Sequence, residues 1–92
     1  MPKPIILTVD DEEGVRNAVE RDLARHYRKD FRILKASSGA EALETIRQLR
    51  QRNDVIALFL VDQRMPEMTG TEFLAQACLE YPEARKVLLT GY

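Results

Sequence analysis

The chain has 92 residues, one cysteine and a formal net charge of −1, with 45% hydrophobic and 32% charged residues. These values fit one small globular domain over residues 1–92. They exclude an internal disulfide and the basic excess that draws nucleic acid or an anionic membrane surface. The start, Met-Pro-Lys-Pro, leads into five strand-like residues before Asp10, too short for a signal peptide or membrane span, so a cytoplasmic location is expected.

Ile5-Ile-Leu-Thr-Val9 is a β-branched apolar run stopped by Asp10-Asp11-Glu12-Glu13. Its length and bounds predict a strand over residues 5–9, covered on both faces. Glu12 and Glu13 suit a helix N-terminus, whereas Asp10 and Asp11 belong to the strand end. Val15, Ala18, Val19 and Leu23 form one helical stripe, with Arg16, Glu20, Arg21 and Arg25 opposite. That helix is expected to end near His26–Asp30. His26 is the only histidine and has no second histidine or cysteine at ligand spacing, so it is read as a surface residue.

The alternation in 31–36 predicts an edge strand. Ser38-Gly-Ala-Glu41 matches a capping box before a second helix whose stripe is Ala40, Leu43, Ile46 and Leu49. Asn53-Asp54 marks a turn. The longest apolar run, 55–61, predicts a central strand that delivers Asp62 to its end. Thr69-Gly-Thr-Glu72 is another capping box, opening a helix that continues through Phe73, Leu74, Ala77 and Tyr81 and closes at Tyr81-Pro82. A fourth strand is expected over 86–90.

The order β-α-β-α-β-α-β implies an α/β domain with a parallel sheet and helices on its faces. Right-handed crossovers bring the carboxyl ends of the strands to one edge, where Asp10, Asp11, Asp62 and Thr90 would meet. A lone strand-end Asp is most often a cap or turn former. Three at one edge exceed what turns need. Two carboxylates about 4 Å apart repel by up to ~4 kcal/mol at an effective dielectric of ~20, and would repel phosphate too. Hard oxygen ligands without His or Cys suit Mg²⁺ or Mn²⁺, which reverses both terms. Asp62 would then be placed to attack phosphorus, with Thr90 hydrogen-bonding a phosphoryl oxygen.

Val9-Asp10-Asp11, Leu60-Val-Asp62-Gln-Arg-Met-Pro66-Glu-Met-Thr-Gly70 and Val87-Leu-Leu-Thr90-Gly together resemble the receiver domain of two-component response regulators, over the whole chain and in register. The resemblance implies a flavodoxin-like three-layer α/β/α sandwich with strand order 2-1-3-4-5. It implies that Asp62 is the phosphoacceptor, supplied by a sensor histidine kinase or phosphotransfer protein. Asp10, Asp11, Asp62 and the Arg64 backbone carbonyl would hold Mg²⁺ (or Mn²⁺), and Thr90 would be the switch hydroxyl. Pro66 and Gly70 would shape the loop, and Arg64 and Tyr92 would flank the path of hydrolytic water and prolong the phosphoryl lifetime. The module is expected to switch a fused or separate effector domain, to make no direct nucleic-acid or membrane contact, and not to be an enzyme beyond its own phosphorylation and dephosphorylation.

A full receiver is longer. The last helix-strand-helix of the family pattern is missing here, and with it the lysine that contacts the phosphoryl group; Lys86 stands at the wrong end of its strand. The chain is therefore expected to be an N-terminal fragment, oligomeric through the exposed first-helix face or the fourth-strand edge, including by strand swapping. Two alternatives stand beside this reading. A non-phosphorylated pseudo-receiver would serve as an interaction module. A haloacid-dehalogenase-like phosphatase would need a second Asp two residues after Asp62, where Arg64 stands.

Overall fold

A computed structural model of the chain describes residues 2–90. Its elements run β1 (Ile5–Val9), α1 (Glu13–Tyr27), β2 (Arg32–Ala36), α2 (Gly39–Gln51), β3 (Ile56–Asp62), α3 (Gly70–Glu80) and β4 (Arg85–Leu89). The strands form one parallel sheet in the order β2-β1-β3-β4. The chain leaves β1 toward β2, then crosses back past β1 to β3. Right-handed crossovers therefore put α1 on one face and α2 and α3 on the other. The strand order reverses between β1 and β3, where such folds open a crevice at the carboxyl edge.

The α2/α3 face is a closed core. Successive residues of a strand point to opposite faces, so Ile5, Leu7 and Val9 of β1 and Phe59 and Val61 of β3 share it. They pack with Ala42, Leu43, Ile46 and Leu49 of α2 and Phe73 and Ala77 of α3. Phe59 meets Phe73 edge-to-face, centroids 5.7 Å apart, and Tyr81 at 6.4 Å. Tyr81 closes the lower end by donating its hydroxyl proton to the Asp54 carbonyl at 2.8 Å.

Three expectations need correction. Ala40 is exposed and Ala42 is buried in its place. Position 40 lies in the first turn, where buried Gly39 packs against Met68 and leaves Ala40 on the outer side. Glu41 does not complete a box with Ser38. Ser38 accepts from the Glu41 amide, but the Glu41 carboxylate takes the amide and hydroxyl of Ser37. No residue of the α1 stripe is fully buried: Val15 is 42% exposed, Ala18 is exposed, and Val19 and Leu23 are half-covered. One helix cannot cover a four-stranded face. On that face Leu58 and Leu60 are half-exposed, and Val87 and Leu89 are 41% and 37% exposed. Among the described residues, no helix is long and apolar enough to cross a membrane.

Candidate functional site: an acid cluster at the carboxyl edge

Register decides whether strand-end carboxylates meet. β1 and β3 begin with Ile5 opposite Ile56, but Ile6 lies opposite Leu58, so Ala57 is an extra residue. Beyond this bulge Val9 faces Val61, and Asp10 comes level with Asp62. Without it, Asp10 would lie level with Val61, and the Asp62 side chain would be out of phase with it. Carboxylate oxygens of Asp10, Asp11 and Asp62 all lie within 4.8 Å of one another.

Each acid is held differently. Asp10 is 5% exposed. Its Oδ1 accepts from the Glu12 amide at 2.9 Å, and its carbonyl accepts from Arg16 Nη1 at 3.0 Å. Asp10 therefore also does the turn chemistry of an ordinary strand-end Asp, starting α1, whose N-cap Glu12 makes no side-chain cap bond. Asp11 is exposed and Asp62 half-buried. Burial, then the Asp10 charge, push the Asp62 carboxyl above its usual range, with Asp11 adding to this; the Arg64 amide and the Arg64 charge pull the other way.

The loop after Asp62 is braced from both sides. Gln63 Oε1 accepts from the amide and hydroxyl of Thr71 at 2.9 and 2.8 Å. The Gly70 amide donates to the Gln63 carbonyl at 3.2 Å. A Cβ on Gly70 would stand 2.6 Å from the Asp62 carbonyl oxygen and 2.6 Å from Leu88 Cδ1, so only glycine lets α3 start against the end of β3. Thr69 and Glu72 complete the expected capping box. Pro66 enters a turn in which Glu67 takes φ 69°, a left-handed conformation that sequence reading did not anticipate. Met65 is buried, and Met68 lies against Gly39 at the start of α2.

Thr90 lies one residue past β4, exposed, and one step beyond Leu89, the residue opposite Asp62. It thus shares the carboxyl edge. Arg64 is exposed, and among the described residues no hydrogen bond takes up its carbonyl. Lys86 is at the opposite end of its strand, donating to the Ala84 carbonyl. Tyr92 lies outside the described residues. Sequence reading missed Arg16, Gln63 and the Ala57 bulge. The first two are ordinary polar residues at helix and loop positions, and a bulge leaves no mark in an apolar run.

Residues 6–92 match the response regulator receiver domain family, and the chain belongs to it. It is 40% identical over 87 residues to the hydrogenase transcriptional regulatory protein HoxA of Cupriavidus necator, covering 95% of this chain and 16% of that one. It superimposes with a TM-score of 0.80 and 36% identity on a structure described as adenylate cyclase from Rhodopirellula baltica, covering 97% of this chain and 60% of that one. A response regulator from Burkholderia pseudomallei, solved with a phosphorylated aspartic acid, calcium ion and citrate, matches with a TM-score of 0.79 and 26% identity, over 98% of this chain and 48% of that one. The chain thus spans about one-sixth of the length of HoxA, and the fold is the flavodoxin-like receiver fold.

Proposed function

We propose that this receiver domain accepts a phosphoryl group on Asp62 in a metal-dependent reaction and passes the change to an effector. The observation that carries the reading is the convergence of Asp10, Asp11 and Asp62 within 4.8 Å at the mouth of the β1/β3 crevice. The donor set fits a hard divalent cation. It offers carboxylate oxygens of three residues and the uncommitted Arg64 carbonyl, and no nitrogen or sulfur ligand. A cation such as Mg²⁺ or Mn²⁺ held there supplies the positive charge that cancels repulsion among the three acids and toward phosphoryl oxygens.

The chain's own part is positional. Asp10, fixed through the Glu12 amide and the Arg16 guanidinium, and the exposed Asp11 form one wall. Gly70 and the Gln63–Thr71 bonds fix the backbone on either side of Asp62, which would hold its carboxylate at the edge for in-line attack. That oxygen forms a bond to phosphorus as the bond from phosphorus to the donor imidazole breaks, and the departing nitrogen keeps the electron pair. The Thr90 hydroxyl is within one strand step to donate to a phosphoryl oxygen. Asp11 is exposed and Asp62 only half-buried, which suits a donor presented by another protein. Partners of this reading are a histidine kinase or phosphotransfer protein in the cytoplasm and an effector domain. The names of HoxA and the adenylate cyclase indicate transcriptional and enzymatic outputs for related domains.

The test is a Mg²⁺ titration followed by amide NMR. Saturable shifts confined to Asp10, Asp11, Asp62 and Arg64, lost in Asp11→Asn, are expected. Shifts spread over other acidic surfaces, unchanged in that variant, would refute the site.

A further inference from the structure

β2 is the edge strand on the far side of the sheet from β4, and a groove of about 590 Å³ runs along it beside α1. All its lining residues lie between Lys3 and Leu34, so the lead into β1, α1 and β2 form it among themselves. Half-buried Ala24, Phe31 and Ile33 make an apolar floor, and exposed Lys3, Arg21 and Arg28 stand around it. We propose that an extended acidic segment of a partner protein docks here, pairing its backbone with the β2 edge and its carboxylates with these cations.

The backbone of β2 offers the pairing groups. The Arg32 amide donates to the Pro4 carbonyl at 2.9 Å, and the Ala36 carbonyl accepts from the Asp10 amide at 3.1 Å. Main-chain direction alternates along a parallel strand, so Arg32, Leu34 and Ala36 face β1, and Ile33 and Lys35 turn their amides and carbonyls outward. An extended peptide laid along a sheet edge pairs with such groups, and its alternate side chains supply the specificity. Ile33 is level with Ile6 and Arg32 with the core residue Ile5, so Ile33 lies on the α1 side of the sheet. Every second side chain of a peptide beside β2 would therefore run along the flank of α1.

Charge selects the occupant. The one carboxylate lining the groove, Glu20, is taken by Lys35 at 2.9 Å, and Arg32 is paired with Asp54. Among the described residues, Lys3, Arg21 and Arg28 have no carboxylate partner, although Lys3 Nζ donates to the Arg28 carbonyl at 2.8 Å. Three uncompensated cations thus share one groove of a chain whose net charge is −1. Guanidinium groups take carboxylates in two-pronged pairs. Arg21 and Arg28 share one helical face about 10 Å apart, and alternate residues of a strand step about 7 Å, so acids at alternate positions fall within reach of both long side chains. The apolar floor and free edge groups favour a peptide over nucleic acid, which is drawn by a broad basic field rather than a strip one strand wide.

Fluorescence anisotropy of a labelled peptide of alternating Glu and Val, titrated with the 92-residue chain, tests this. Saturable binding is expected, and none by the same peptide with Lys in place of Glu. Arg21→Glu combined with Arg28→Glu should weaken binding at least about tenfold, with circular dichroism unchanged because both residues are exposed. In hydrogen exchange followed by NMR, the bound peptide should protect the Ile33 and Lys35 amides. If the double variant fails to fold, the Lys peptide and the exchange pattern decide. No binding of the Glu peptide, equal binding of the Lys peptide, or affinity unchanged in the folded double variant would each overturn the proposal. Binding that leaves the Ile33 and Lys35 amides unprotected would overturn it too, leaving charge attraction without strand addition. A ten-nucleotide oligothymidine that binds more tightly than the peptide, and is lost in the double variant, would make this a nucleic-acid surface instead.

Discussion

Replacing Asp62 by Asn should make the metal-free protein more stable, although it removes the group on which the proposed chemistry depends. Burial and the Asp10 charge hold the Asp62 carboxyl above its ordinary value. The folded state then binds that proton more readily than the unfolded chain, so ionisation of Asp62 costs stability. The cost is fully present above the raised value, shrinks as pH falls through it, and vanishes below the ordinary carboxylate value of about 3.9. Its size follows from spacing. Two charges at the 4.8 Å limit repel by ~0.9 kcal/mol in water and ~3.5 kcal/mol at an effective dielectric of ~20. Asp62 is half-buried and Asp11 exposed, so screening favours the lower end. Asn keeps an oxygen for the Arg64 amide. The expected gain is ~1–2 kcal/mol, or roughly 5–10 °C in Tm for a domain of this size. Thermal melts in EDTA from acid to neutral pH read it directly. The difference should be largest at neutral pH and close as pH falls, and added Mg²⁺ should raise the wild-type Tm more than that of Asp62→Asn. A folded Asn variant melting at or below wild type at neutral pH without metal would refute the reasoning.

Further outcomes follow from the loop and caps. Gly70→Ala should lose ~2–4 kcal/mol in urea unfolding, because its Cβ meets the Asp62 backbone 2.6 Å away. Gly39→Ala should cost less than Gly70→Ala, because its Cβ meets only the Met68 side chain (Sδ at 2.6 Å, Cγ at 3.0 Å, Cβ at 3.1 Å), which can shift where backbone cannot, and alanine favours helix. Thr69→Ala should cost ~1 kcal/mol through loss of the α3 capping box. Arg64→Ala should speed loss of the phosphoryl group by roughly fivefold, about 1 kcal/mol of barrier, if the exposed guanidinium shields Asp62 from water. An unchanged hydrolysis rate would leave Arg64 as a solvated side chain.

The fold was legible because each apolar run ended in a chemical stop. Asp10 closed β1, Asn53 took the left-handed turn after α2 at φ 62°, and Thr69 capped α3 with Glu72. The acids were legible as strand-end residues, and the crossover rule brought them to one edge. Their alignment was not, because it depends on the Ala57 bulge, and one extra apolar residue in Ile56–Val61 changes no pattern. The α1 stripe misled for a related reason. Periodicity reports which side of a helix is apolar, and Val15 is apolar yet 42% exposed because the sheet beside it is wider than one helix. Strand bounds moved by one residue: β3 runs from Ile56 on to Asp62, which pairs with Leu89, and β4 from Arg85 to Leu89.

The central claim is that Asp62 becomes phosphorylated. Intact-mass spectrometry after incubation with Mg²⁺ and acetyl phosphate tests it on the wild type and Asp62→Asn side by side. The account predicts one phosphoryl-sized gain in the wild type, absent from the Asn variant and from a metal-free control. An equal gain in Asp62→Asn, or none in a folded wild type that binds Mg²⁺, would contradict it.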